Sequence, residues 1–158
     1  MKLISLLEKL EYTCLQGSTD QEVKNVIYDS RKVEEGSLFI CIRGAVVDGH
    51  KFVPDVVAKG AKVLIVEEAV EAPEDVTVIL VKDTRYAMAF ISAAYFGYPA
   101  EKLKTIGITG TKGKTTTTYM VKSILENAGY KVGLIGTIEA IIGDKVIPAK
   151  NTTPESYV

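Results

Sequence analysis

The chain has 158 residues, 47% hydrophobic and 25% charged, a globular balance that excludes an intrinsically disordered protein. Lys and Arg number 19 against 20 Asp and Glu, a net charge of −1. That balance excludes a broad nucleic-acid-coating surface and leaves room for one local anion site.

The first expected element is a short amphipathic helix, because Leu3, Leu6, Leu7 and Leu10 recur at helical spacing. Its apolar stretch, Leu3 to Leu7, is too short for a signal peptide, and no apolar run nears the roughly 18 residues of a membrane span. A soluble, cytoplasmic protein is expected. Val23 to Tyr28 predicts a strand ending at Asp29-Ser30-Arg31, and Leu38 to Ile42 a second. After a loop from Gly44 to Gly49, Phe52 to Lys59 reads as a helix with Pro54 in its first turn and Gly60 as its stop. Val63–Val66 and Val76–Val81 are short all-apolar runs, as in parallel strands buried on both faces. Asp83 caps a longer helix through Phe96. Cys14 and Cys41 form no disulfide framework, and with no CxxC and a single histidine, His50, a zinc site is not expected.

After Pro99 a second unit opens. Thr105 to Thr109 predicts a strand, a glycine-rich loop follows, and a helix runs from about Lys114 to Asn127. Val132 to Ile135 is the next strand. Ile141 to Val146 predicts a hairpin turning at Gly143-Asp144. The expected architecture is therefore α/β. A small N-terminal domain with a mixed sheet spans 1–98, and 103–158 holds a first strand–loop–helix–strand unit too small to close an α/β sheet alone.

The strongest chemical signal is the stretch Gly107 to Thr116, GITGTKGKTT. Between a strand and a helix, its glycines let successive backbone N–H groups face a polyphosphate, and the helix N-terminus adds its dipole. Lys114 offers an ammonium to the β- and γ-phosphates, and Thr115 a hydroxyl to Mg²⁺. The general phosphate-loop pattern would place glycine where this chain has Ile108, so the loop is a variant. Thr115 to Thr118 are four β-branched residues opening a helix, which suggests that their hydroxyls are wanted for metal and phosphate.

Gly110-Thr111-Lys112-Gly113-Lys114-Thr115-Thr116 resembles the ATP loop of the Mur ligases, the ATP-dependent amide-forming enzymes of peptidoglycan synthesis. Asp29-Ser30-Arg31 with Gly36-Ser37-Leu38-Phe39, and Gly44 through Phe52, resemble that family's N-terminal domain. Gly136-Thr137-Ile138 with Asn151-Thr152-Thr153-Pro154 is similar to the member that extends UDP-N-acetylmuramoyl-L-Ala-D-Glu. The resemblance runs from about Leu3 to Val158, with the motifs in the family's order.

The resemblance implies roles. Gly110, Thr111, Lys112, Gly113, Lys114, Thr115 and Thr116 would bind ATP, with Lys114 and Thr115 catalytic and Thr115 holding Mg²⁺. Tyr28, Ser30, Ala45, Val46 and Val47 would meet the UDP end of the substrate, and Asn151, Thr152 and Thr153 its muramoyl-dipeptide side. The residues 1–98 become a UDP-substrate-binding domain and 103–158 the start of a P-loop ATPase-like central domain. The reaction implied adds a diamino acid, diaminopimelate or lysine, to D-glutamate through an acyl phosphate. The family's further metal ligands, modified lysine, adenine pocket and C-terminal domain would lie beyond Val158, so an N-terminal piece of a longer ligase, inactive alone, is expected.

Read without the resemblance, the same residues leave alternatives open. Asp29-Ser30-Arg31 is equally a strand-ending turn with an ion pair, Asp48-Gly49 an ordinary turn, and Asn151 to Pro154 a terminal loop. His50 reads as structural rather than as a general base. A UDP-substrate-binding module without catalysis, and an unrelated P-loop nucleoside triphosphatase, are the competing functions.

Overall fold

The computed structural model describes residues 1–44, 47–149 and 156–157. They form two compact units, Met1–Lys102 together with Tyr157, and a second that begins at Leu103.

The first unit is built on a five-stranded sheet. The strands β1 (Thr13–Gln16), β2 (Asn25–Ile27), β3 (Ser37–Ile40), β4 (Val63–Val66) and β5 (Thr77–Leu80) lie in the spatial order β1-β5-β4-β3-β2. β2 through β5 are parallel, and β1 closes the β5 edge antiparallel. All four residues of β3 and of β4 are buried, as continuous apolar runs in a doubly covered parallel sheet require. Their side chains alternate between two cores. Leu38, Ile40, Val63, Ile65 and Ile79 pack with helices α1 (Leu3–Leu6) and α3 (Thr84–Tyr95). Phe39, Cys41, Leu64, Val66 and Val78 pack with α2 (Val53–Ala58) on the other face. Each such side chain contributes about 1.5–3 kcal/mol on burial, so the sheet is where this unit's stability resides.

Asp83 caps α3 as expected, its carboxylate accepting from the Tyr86 N–H at 2.9 Å. β1 was not visible as a strand in the sequence. Its residues are exposed or half-exposed and carry no apolar run, and it is held from outside its own pattern. The Gln16 amide donates to the carbonyls of Pro73 (2.6 Å) and Val76 (2.8 Å).

Because β2 to β5 run parallel, the connections leaving their carboxyl ends share one edge of the sheet. Residues 28–31, 41–44, 47–49, 67–68 and 82–84 follow those strand ends.

In the second unit, α4 (Lys114–Asn127) precedes a meander of β6 (Gly133–Ile135), β7 (Glu139–Ile142) and β8 (Lys145–Pro148). β7 and β8 turn at Gly143-Asp144 as expected, with Gly143 at φ 58°. One expectation is corrected: residues 105–109 form no strand. A strand exists only as one side of a ladder, and among the described residues this segment has no partner. Its apolar residue Ile106 is 63% exposed.

Candidate functional site

Two places gather the residues singled out by the sequence, one in each unit. The first is the carboxyl edge of β2 to β5. The chain leaves β2 through half-buried Tyr28, which packs against the α1/α3 core, and turns at once into a 3₁₀ helix, Ser30–Lys32. Asp29 caps that turn, accepting from the Arg31 N–H at 3.1 Å and from its guanidinium through two contacts of 2.8 Å. This fork holds the Asp29 carboxyl down at about 2. The ion-paired turn is thus real, and it presents Ser30 at the strand end. The Ser30 carbonyl accepts from Lys59 Nζ at 3.0 Å, while its hydroxyl has no partner among the described residues.

The connection leaving β3 is pinned at its root. The Gly44 N–H donates to the Val47 carbonyl (2.9 Å) and the Gly49 N–H to the Ile42 carbonyl (2.8 Å). Gly49 is obligatory here, since a Cβ would meet the Ile42 nitrogen at 2.7 Å. Val47 is half-exposed at the edge. Ala45 and Val46 lie outside the described residues, as do Asn151, Thr152 and Thr153.

His50 is buried, and both ring nitrogens are engaged. Nδ1 lies 2.6 Å from Asp48 Oδ1, and Nε2 accepts the Glu67 N–H at 2.9 Å. A ring whose Nε2 is an acceptor carries its proton on Nδ1 and donates it to Asp48. The backbone and ring N–H groups of His50 together hold the Asp48 carboxyl below its ordinary range. The geometry agrees with the structural reading of His50 over the general-base one.

Asp48, His50 and Glu68 place one ligand atom each within 4.8 Å of one another, the only such trio among the described residues. The donor set does not suit a metal. Both imidazole nitrogens are spent, and Arg43 already bridges Asp48 (3.3 Å), Glu67 (3.7 Å) and, most closely, Glu68. The open recess of about 350 Å³ beside them is lined by Asp48, Glu68 and Glu71 against Lys51, an acidic wall unsuited to phosphate. Cys41, directly after β3, is buried, and burial first and the nearby Asp48 second push its thiol up to about 12.

Sequence reasoning passed over Arg43, Glu67 and Thr84. Glu67 Oε1 accepts from both the Thr84 N–H (2.8 Å) and its hydroxyl (2.7 Å). The available signal was a Glu-Glu pair directly after the all-apolar run of β4.

The second place is the glycine loop. Gly110 at φ 147° and Gly113 at φ 78° occupy backbone regions that only glycine enters freely, and Gly113 leads directly into α4. Lys114 folds back across the loop, its Nζ donating to the Gly110 carbonyl at 2.7 Å. The four threonines divide. Thr117 donates its hydroxyl to the Gly113 carbonyl (2.9 Å) and Thr118 to those of Lys114 (3.0 Å) and Thr115 (2.7 Å), so these two are spent inside the helix. The expectation that all four serve metal and phosphate narrows to Thr115 and Thr116, whose hydroxyls have no partner among the described residues. The first backbone N–H groups of α4 face the same loop. Loop, ammonium and hydroxyls together can cradle a polyphosphate. No helix among the described residues is long and apolar enough to cross a membrane.

Comparison with known proteins bears on both places. Residues 22–96 match the Mur ligase family, catalytic domain, and residues 108–158 the Mur ligase middle domain. A UDP-N-acetylmuramoyl-L-alanyl-D-glutamate--2,6-diaminopimelate ligase of Clostridium perfringens (strain 13 / Type A) is 54% identical over 157 residues, 99% of this chain and 32% of that protein. The ligase of the same name from Clostridium tetani is 49% identical over 159 residues, 99% of this chain and 33% of that protein. Among solved structures, MurF of Acinetobacter baumannii matches with a TM-score of 0.63 at 33% identity, covering 87% of this chain and 28% of that one. The chain spans about a third of the length of the curated relatives it matches.

Proposed function

The chain belongs to the Mur ligase family, and we propose that it carries the UDP-substrate and ATP-loop parts of a cytoplasmic ligase that adds diaminopimelate to UDP-N-acetylmuramoyl-L-Ala-D-Glu. The observation that carries this reading is the glycine loop leading into α4, with Lys114 across it and two unspent threonine hydroxyls, in a chain 54% identical to a ligase of that name. That name favours diaminopimelate over lysine as the amino acid added.

In this reading ATP is the co-substrate of the second unit. Its γ-phosphoryl group passes to the D-glutamate side-chain carboxylate, and the amine of the diamino acid displaces phosphate from the acyl phosphate to form the amide. The chain's own residues supply positioning and charge. The N–H groups of Gly110 to Gly113 and of the first turn of α4 take the phosphate oxygens, and Lys114 leaves the Gly110 carbonyl to meet the β- and γ-phosphates. Thr115 Oγ1 is the atom that would hold Mg²⁺, which supplies neutralisation of the polyphosphate. The first unit binds the UDP end at its carboxyl edge, through Ser30 with Tyr28 behind it and through the connection that contains Ala45, Val46 and Val47. Ligands commonly meet parallel sheets at that edge. To Asn151, Thr152 and Thr153 this reading assigns the muramoyl-dipeptide. Residues 1–98 and 103–158 are accordingly two binding domains, and the chain alone is expected to bind without ligating.

Calorimetric titration tests this with two ligands and two variants. UDP-N-acetylmuramoyl-L-Ala-D-Glu should saturate the wild type, and Ser30→Ala should weaken that binding and spare ATP. Lys114→Ala should do the reverse. ATP or GTP turnover without any affinity for the muramoyl nucleotide would favour the unrelated nucleoside triphosphatase.

A further inference from the structure

One connected set of polar contacts at the carboxyl edge has no part in the reading above. It starts at the root of the connection leaving β3, where Asp48 Oδ1 accepts from the His50 N–H (3.0 Å) and faces its Nδ1 (2.6 Å). It continues through His50 Nε2 to the Glu67 N–H at the end of β4 (2.9 Å). It ends where the Glu67 carboxylate takes both the N–H and the hydroxyl of Thr84 (2.8 and 2.7 Å), the first residue of α3. His50 and Thr84 are buried, and Arg43 spans the outside from Asp48 to Glu67 and Glu68.

The chain has spent buried polar groups on this set, and such groups are stabilising only when every member is paired. A hydrophobic residue at position 50 would pack the same space without that demand. What the imidazole adds is direction: two nitrogens fixed by the plane of one ring, one aimed at Asp48 and the other at β4. The connection is thereby referenced to the sheet and to the start of α3, in addition to its own short backbone bonds.

We propose that His50 is a positioning residue for the nucleotide-substrate site, holding Gly44, Val47 and Asp48 in register with the ends of β4 and α3. This rests on the reading that the UDP end of the substrate meets that edge. His50 touches no substrate in this account. It acts through Asp48, and Glu67 and Thr84 anchor it.

His50→Asn keeps a donor near Asp48 and loses the reach to Glu67, while His50→Gln keeps an acceptor for Glu67 and loses the link to Asp48. Each should weaken binding of UDP-N-acetylmuramoyl-L-Ala-D-Glu to the full chain roughly tenfold, the loss expected when one hydrogen bond to a charged or buried partner goes. ATP affinity should not change. In the same variants the amides of Gly44, Gly49 and His50 should exchange with solvent roughly tenfold faster while those of β3 and β4 hold, a local opening. Leu6→Ala, a core residue of α1 with no part in these polar contacts, should lower the melting temperature and leave the affinity unchanged. Unchanged exchange in both His50 variants would overturn the clasp itself. Faster exchange with unchanged affinity would overturn its positioning role. A wild type that binds no muramoyl nucleotide, with exchange still responding, would overturn the site reading and with it the role in binding, leaving a clasp of the fold.

Discussion

The two units use the same device, a loop that hands the chain to a helix, and invest very differently around it. In the first, every residue of β3 and β4 is buried and helices cover both faces of the sheet. In the second, Leu134 is the one buried residue among those described, and Ile106, Met120, Ile124, Ile135 and Ile142 are more than half exposed. The polar networks follow suit. The edge of the first unit is fastened by side chains that reach between elements, whereas the glycine loop is held by bonds between itself and the first turn of α4. The edge built on the packed sheet is therefore fixed by the fold. The glycine loop is set by its own backbone and the helix start, with little packed around it.

Substitutions should separate the two along that line. The largest effect belongs to Lys114→Ala, which removes the ammonium that reaches across the loop to the Gly110 carbonyl. ATP affinity should fall by about a hundredfold or more, as when a charge-assisted phosphate contact is lost, while the melting temperature stays within a degree or so. A fluorescent ATP analogue and a thermal melt check both. Next comes core truncation. Leu64→Ala, in the centre of β4, should cost about 2–5 kcal/mol in a urea titration, whereas Leu134→Ala should cost about 1 kcal/mol or less, because its surroundings already meet solvent. Equal costs would erase the contrast between the units.

Smaller effects sharpen the first unit alone. Cys14 is exposed and Cys41 buried with its thiol pushed up to about 12, so a thiol reagent should modify one cysteine quickly in the native protein and the second only on unfolding. Asp29 contributes least. Its carboxyl is held at about 2, below the ordinary 3.8, so its contribution is present above pH 4 and is lost as the pH falls from about 4 to about 2. Arg31 is largely solvent-exposed, so Asp29→Asn should cost no more than about 1 kcal/mol at pH 7, and the cost should shrink as the pH falls through about 2.

Much of this was legible in the residues, for reasons that differ by element. The runs Val63–Val66 and Val76–Val81 announced buried parallel strands because burial on both faces removes alternation. The turn at Gly107 to Thr116 was legible as a glycine loop opening a helix, because Gly110 and Gly113 take backbone conformations that other residues rarely adopt. β1 was not, since an exposed edge strand held by Gln16 leaves no pattern in its own sequence. Residues 105–109 looked like a strand by composition, but pairing is supplied by a neighbour and not by the segment. Glu67 and Thr84, 17 positions apart, meet only because β4 and β5 run in parallel register. No local motif could have joined them to His50.

If one chain carries two separate nucleotide sites, a hydrogen-exchange footprint taken with each ligand should resolve two patches. UDP-N-acetylmuramoyl-L-Ala-D-Glu should slow exchange at Tyr28 to Arg31 and at Gly44 to His50 while leaving the glycine loop untouched. ATP with Mg²⁺ should slow exchange across Gly110 to Thr116 alone. A single footprint shared by both ligands, or protection by the muramoyl nucleotide confined to the glycine loop, would contradict the account.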